Sequence, residues 1–421
     1  MTATQFGSVK ASALAEYFKK DFNLIGADAE YTKNRPTLKA IPLDRTKLTL
    51  GDGFYETLKI GQGWSGSVDW ETGNKYHAPS TRVRWAITDP YAQYGRITFD
   101  SLTLNRYPLG ALIDLKGTEA QDVKESMLNT CERELWNAGD GFLGQIDTLG
   151  GSEATRILTL KDPAQVFNFQ HGMHFRGATT QTGGTVHSDV YKVTDFDPIA
   201  GTVTATQITN TGGQELTDED YLHVVANYDV EMPGITTFIP SSSPSDTLYG
   251  VARTGNPALS GWRFPFVMSI SDTIKRAFSQ MGQWVNRDKD KFVVVLSTAD
   301  WLDLADERES RIQEDPGAMQ KWGLSGLVVR TSFGPITCIS IPQVPDGRGY
   351  ILDFSTWKLY TIGNLPHVID EDGLMMVRGG IGTVSGNEYL NGDMFAMQLR
   401  MWKILLCLQP LSNATFPTVA S

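Results

Sequence analysis

The chain has 421 residues, 41% hydrophobic and 20% charged, enough for two or three domains with sizeable cores. Its 37 Lys and Arg against 48 Asp and Glu leave a net charge of −11, which argues against tight binding to duplex phosphates. No run approaches the roughly 20 apolar residues that a membrane-spanning helix needs, and the start Met-Thr-Ala-Thr-Gln-Phe-Gly lacks a basic-then-apolar pattern. A soluble chain without a visible export signal is therefore expected. The 41 Gly and 19 Pro imply many turns and extended segments. Cys131, Cys338 and Cys407 are odd in number and far apart, which fits reduced, buried thiols in a protein made in the cytoplasm.

Taken in order, residues 12–22 can form a short amphipathic helix through Leu14, Tyr17, Phe18 and Phe22. An extended arm follows, with scattered apolar residues and no core of its own. From 48 to 85, strand fragments are broken by Gly51, Gly53, Gly61, Gly63, Gly66 and Gly73. The stretch Arg82-Val-Arg-Trp-Ala-Ile87 alternates, with Val83, Trp85 and Ile87 on one face. This reads as a long two-stranded arm, and an isolated ribbon is marginal in water, so it needs a partner surface. Ile97 to Leu104 alternates again.

A helix is expected over 118–136, opened by a capping box of Thr118 and Gln121 after the breaker Gly117. Ala120, Val123, Met127, Cys131 and Leu135 form its apolar stripe, and Gly139 and Gly141 stop it. The stripe needs a sheet, for which Ile97–Leu104 and the closing run 394–408 are the candidates. The polar face holds Asp122, Lys124, Glu125, Glu132 and Arg133, expected toward solvent or against the N-terminal arm.

Residues 161–240 are a meander of short strands around 190–194, 202–208 and 221–225, expected as a small inserted barrel or sandwich. Beyond a Ser/Pro linker at 241–245, helix and strand alternate. Ile270, Ile274, Ala277, Phe278 and Met281 mark a helix. Phe292-Val-Val-Val-Leu296 is a buried strand, and Ser297 caps a helix carrying Trp301, Leu302 and Ala305. Strands follow at 327–330, 336–341, 350–352 and 357–360.

No motif assigns chemistry. Gly61-Gln-Gly63-Trp-Ser-Gly66 matches a dinucleotide fingerprint as a string, but strand and turn follow it where a helix is required. His171 and His174 have no third ligand at a metal-binding spacing, and His187, His223 and His367 add none. Asp69 with Glu71, or Asp370, Glu371 and Asp372, are the carboxylates a glycan hydrolase would need, without evidence of a defined separation. No catalytic, cofactor-binding or metal-ligating residue is assigned. What remains is a pattern of arms that cannot bury their own apolar residues, which implies neighbouring copies of the same chain.

This order of arm, glycine-rich ribbon, long helix and later strand-then-helix runs resembles the major capsid proteins of tailed bacteriophages. The residues carrying the likeness are the 48–85 ribbon, the 118–136 helix, Phe292–Leu304, Tyr350–Trp357 and the closing run Asn391–Pro410. The resemblance implies an α+β, HK97-like capsid fold. Its parts would be an N-terminal arm (1–47), an extended β-hairpin loop (48–90), a peripheral domain with the spine helix 118–136 (91–160) and an inserted β-barrel-like domain (161–240). An axial domain (241–385) and a return to the peripheral domain with a C-terminal tail (386–421) would complete it.

The implied function is self-assembly through pentamers and hexamers into an icosahedral head that encloses double-stranded DNA without reading its sequence. A separate scaffolding protein and a portal would be partners, since no long charged N-terminal helical region is present. The implied location is the virion, after assembly in the host bacterial cytoplasm, with no membrane, cofactor or enzymatic activity. Arg82, Arg84, Trp85, Trp64 and Phe18 are the expected inter-subunit contacts. The rivals are a β-rich phage tail, decoration or adhesion protein, and a glycan-active hydrolase.

Overall fold

The computed structural model describes residues 35–44, 54–59, 68–79, 81–87, 91–99, 109–152, 155–209, 215–242, 244–254, 259, 261–281, 292–307, 313–315, 326–332, 334–354, 357–361, 367–368, 386–399 and 404–407. Among these, the strands gather into two open sheets, a closed barrel and two short two-stranded pieces.

Phe292–Leu296 lies at the centre of a seven-stranded sheet, parallel to Gly334–Ser340 and antiparallel to Arg348–Asp353. Successive side chains of a strand point to opposite faces. Val293 and Val295 enter one core with Tyr350 and Leu352, whereas Val294 and Leu296 enter another with Cys338 and Ile351. Both faces are covered, which is why this strand is a continuous apolar run rather than an alternating one. The helix Ile270–Met281 covers the second face with Ile270, Ile274, Ala277 and Phe278, as its spacing predicts. The helix Thr298–Asp306 joins it, capped by Ser297. Its buried anchor is Leu304, and the expected Leu302 is 53% exposed, because the stripe falls one turn position away from it.

The long helix runs Leu109–Trp136, starting nine residues ahead of the expected cap. Thr118 is inside it, nine residues past its start. One interior Gly costs only ~1 kcal/mol relative to Ala, which a helix of 28 residues absorbs at Gly117. Leu128, Cys131, Leu135 and Trp136 belong to the core of Val293, Val295, Tyr350 and Trp357, and the Trp136 and Tyr350 rings lie 5.7 Å apart. The stripe therefore meets strands more than 150 residues on in sequence. The expected neighbours do form a sheet: Tyr91–Phe99 pairs with Gly386–Leu399, which also pairs with Trp357–Thr361. The closing run divides, however. Gly386–Leu399 joins this five-stranded sheet, while Ile404–Cys407 crosses to the seven-stranded sheet beside Arg348–Asp353. Its residues Ile404 to Cys407 form a second apolar strand of their own and so can complete a different sheet.

Six described strands close into a barrel in the order Tyr221–Val224, Phe142–Gly151, Thr155–Leu160, Thr202–Thr209, Val190–Asp197 and His174–Ala178. Leu143, Ile146, Leu158, Phe175, Tyr191, Val203 and Leu222 fill it. It starts at Phe142 and not at 161, since the Gly-rich stretch after the helix is itself a strand carrying inward Leu143 and Ile146.

Entry and exit of the barrel lie side by side. Gly139 and Gly141 have φ +82° and +75°, and a Cβ on either would strike the returning chain at Glu231 O or Asn227 O. Glu231 N–H donates to Gly139 O and Gly234 N–H to Asn137 O, both at 3.1 Å. A Cβ on Gly234 would stand 2.2 Å from Glu134 O and 2.4 Å from Asn137 O, so the return crosses the helix end at backbone distance. Thr236 and Thr237 hydroxyls donate to Trp136 O and Ala138 O, satisfying carbonyls the helix leaves open. Arg133 and Glu231 pair in a fully buried salt bridge beneath this stem.

Candidate assembly surfaces

The short helix Pro36–Ala40 has no side-chain cap of its own. Glu132 of the long helix supplies one: its carboxylate accepts from Thr37 N–H at 2.9 Å and Leu38 N–H at 3.0 Å. Burial pushes the Glu132 carboxyl above its usual range, and these hydrogen bonds act against that rise. Trp136 Nε1–H donates to Thr37 Oγ1 at 2.9 Å, and Arg35 donates to Asn129 Oδ1 and Glu125 O. Leu43–Asp44 then adds, in parallel, to Trp357–Thr361. Of the two expected settings for the helix's polar face, Glu132 takes the one against the arm. Arg133 takes neither, being buried at the stem, while Asp122 and Glu125 are exposed.

The ribbon pairs Phe54–Lys59 with Arg82–Ile87 antiparallel, placing Lys59 opposite Arg82, Thr57 opposite Arg84 and Glu56 opposite Trp85. Arg82 and Arg84 are exposed on one face. Val83, on the other, packs against the main core beside Tyr249 and Val251, so the ribbon's base is supported by its own chain. Between the two strands sits the helix Trp70–Lys75, where Asp69 accepts from Thr72 N–H at 2.9 Å and Thr72 Oγ1 at 2.6 Å. These bonds hold the Asp69 carboxyl below its usual range, which makes it an ionised helix cap. Val68, Trp70 and Tyr76 stand in solvent around it, Trp70 at 79% exposure. Trp64 and Phe18 lie outside the described residues, and the surroundings of the Trp85 side chain do too. The structure therefore brings Arg82 and Arg84 together on one strand, with Trp85 next to them.

Asp370, Glu371 and Asp372 also lie outside the described residues, as do Gly61, Gly63 and Gly66. His171 and His174 are exposed, and no group of three or more His, Cys, Asp or Glu suited to a metal occurs among the described residues. No described helix is long and apolar enough to cross a membrane. Cys131 and Cys338 are buried free thiols, and burial pushes the Cys131 thiol well up. Around Ser297, Asp300 accepts from Gly347 N–H at 3.0 Å and lies 2.8 Å from Ser297 Oγ, which is itself 2.7 Å from Asp346. Burial there, with Asp346 adding to it, raises the Asp300 carboxyl to about 6.

No protein-family model matches the sequence, and no curated protein matches it. Solved structures do. A chain of the cyanophage A-1(L) capsid asymmetric unit superposes with a TM-score of 0.50 at 10% identity, over 89% of this chain and 93% of that one. A capsid chain of a native GTA particle gives 0.45 at 7% identity, over 90% and 91%. The capsid of the Myoviridae phage XM1 gives 0.37 at 8% identity, over 87% and 89%. The chain shares a mixed α and β fold with that cyanophage capsid chain, and the likeness runs nearly end to end.

Proposed function

We propose that this chain is the major capsid protein of a tailed bacteriophage, assembling through pentamers and hexamers into an icosahedral head around double-stranded DNA. One observation carries the reading: the superposition on the cyanophage A-1(L) capsid chain covers 89% of one chain and 93% of the other. Tail, decoration or adhesion roles and glycan hydrolysis have no comparable support.

In this reading the long helix and the five-stranded sheet form the peripheral domain, and the seven-stranded sheet forms the axial domain. The barrel is an insertion, supported by the adjacent stem segments at 137–141 and 227–234. Residues 35–44 are the foot of the N-terminal arm, tied down by Glu132. The ribbon is the loop that reaches a neighbouring copy. Cations at the opposed positions Lys59 and Arg82 disfavour one another within a single ribbon, so an acidic surface on the next subunit would relieve them. A net charge of −11 supplies such surfaces and keeps enclosed DNA from adhering to the wall. A scaffolding protein, a portal, the virion location and assembly in the bacterial cytoplasm complete the proposal.

The test is sedimentation of the expressed full chain, alone and with the scaffolding protein of the same virus. Particles of hundreds of subunits are expected. A protein that remains a monomer or trimer under both conditions overturns the reading.

A further inference from the structure

The barrel closes on its shortest described strand, Tyr221–Val224, which pairs with His174–Ala178 on one side and Phe142–Gly151 on the other. On the Phe142–Gly151 side the register slips between Leu222 and His223. At that slip the His223 residue is 1% exposed. Its Nδ1 lies 3.1 Å from Asp140 O, and since a carbonyl only accepts, Nδ1 carries the proton of a neutral ring. The ring meets Tyr228 edge-on, with centroids 4.7 Å apart, and Phe142 at 6.2 Å. Nε2 is buried without a hydrogen-bond partner.

The same ring lies beneath the contacts that hold the seam. Tyr228 Oη accepts from Gly184 N–H at 2.7 Å, and Asp229 accepts from Gly183 N–H at 2.9 Å. Asp140 accepts from Gln181 Nε2 at 2.6 Å, and Asp229 N–H donates to Asp140 O at 3.2 Å. The turn 179–184, the stem and the closing strand thus meet around one imidazole.

We propose that His223 is an acid-triggered release: a proton taken up at Nε2 parts the closing strand from Phe142–Gly151 and frees the 179–184 turn, leaving the long helix in place. A second N–H in this position would be a charged donor facing an aromatic cage with nothing to receive it. Of the charged groups that face the ring, Asp140 and Asp229 favour the proton and Arg133 opposes it, while Arg176 sits directly across the strand pair. Burial is the largest effect, and it moves the ring below its usual range. The seam is therefore strongest above the ordinary His value of ~6.5 and weakens as pH falls through the depressed value.

The experiment is amide hydrogen exchange of the full chain from pH 7.5 to 5, corrected for intrinsic rates. Between the ordinary His value of ~6.5 and the depressed value, peptides over 142–146 and 221–230 should open up to about tenfold more per pH unit, as one-proton linkage requires, and level off below it, while the C-terminal half of the long helix stays protected. His223→Gln keeps a donor for Asp140 O but has no proton to gain, so its exchange should be flat with pH. His187→Gln alters the other buried barrel histidine, which faces Asp220, and should respond as wild type does. A flat wild-type profile, or a wild-type response in His223→Gln, overturns the proposal. Should His223→Gln fail to fold, ring C2–H exchange of His223 in the native chain decides: a midpoint below the ordinary His range supports the release, and one within or above it refutes it.

Discussion

Replacing Glu132 by Ala should detach residues 36–41 from the long helix without unfolding the subunit. The carboxylate accepts two backbone N–H groups at 2.9 and 3.0 Å, both bonds buried. Hydrogen bonds to a charged group contribute about 1.5–3 kcal/mol each, and a donor left buried and unpaired costs about 1–3 kcal/mol. Relief of the carboxylate's own desolvation offsets part of that sum, so a net local loss of about 2–4 kcal/mol is expected. A loss of about 3 kcal/mol corresponds to roughly a hundredfold rise in the local opening constant. Glu132→Gln retains one acceptor and turns its amide donors toward the other N–H, so it should lose about half as much. Amide exchange at Lys39 and Ile41, which donate to Arg35 O and Thr37 O, reads this opening directly. Protection at those amides unchanged in Glu132→Ala, with the chain folded, would refute the anchoring role.

Three further outcomes follow from the same geometry. Reversing Arg82 and Arg84 to Glu should leave folded monomers, because both side chains are exposed, yet stop closed particles from forming; normal particles by sedimentation would contradict the ribbon's role. Gly234→Ala puts a methyl about 2.2–2.6 Å from three carbonyl oxygens at the helix end, so it should lower the melting temperature sharply or abolish folded protein, and a wild-type melting curve would show the stem to be looser than described. Asp300, raised to about 6 from an ordinary 3.8, favours the folded state most below pH 3.8, and that contribution is lost as pH rises through 6. Asp300→Asn should therefore raise the melting temperature at pH 7.5 and lose this advantage near pH 4, and a shift independent of pH would dismiss the effect.

The parts legible from sequence were those whose signal is local. Phe292–Leu296 and its Ser297 cap, and the stripe of Ile270–Met281, are spelled by neighbouring residues and occur where their spacing places them. Glu132 and Arg133 were not legible, because what makes them buried lies 94 to 98 positions away, at Leu38 and Glu231. On the helix alone they read as two more charges on a polar face. The start of the long helix was hidden for the opposite reason: Thr118 and Gln121 carry a strong local cap signal, and the continuation to Leu109 overrides it. At the ribbon, alternation correctly separated Arg82 and Arg84 from Val83. It could not say that Val83 packs against the same chain's core. His223 gave no signal by spacing, because its importance comes from the register slip and from Tyr228, Phe142 and Asp140 meeting over it in three dimensions.

Whether the chain builds the wall of a shell is decided by electron microscopy of the full chain, expressed alone and with a scaffolding protein of the same virus. Closed icosahedral shells in the micrographs are the predicted result. Fields of dispersed monomers or trimers, with no shells at any protein concentration, would contradict it.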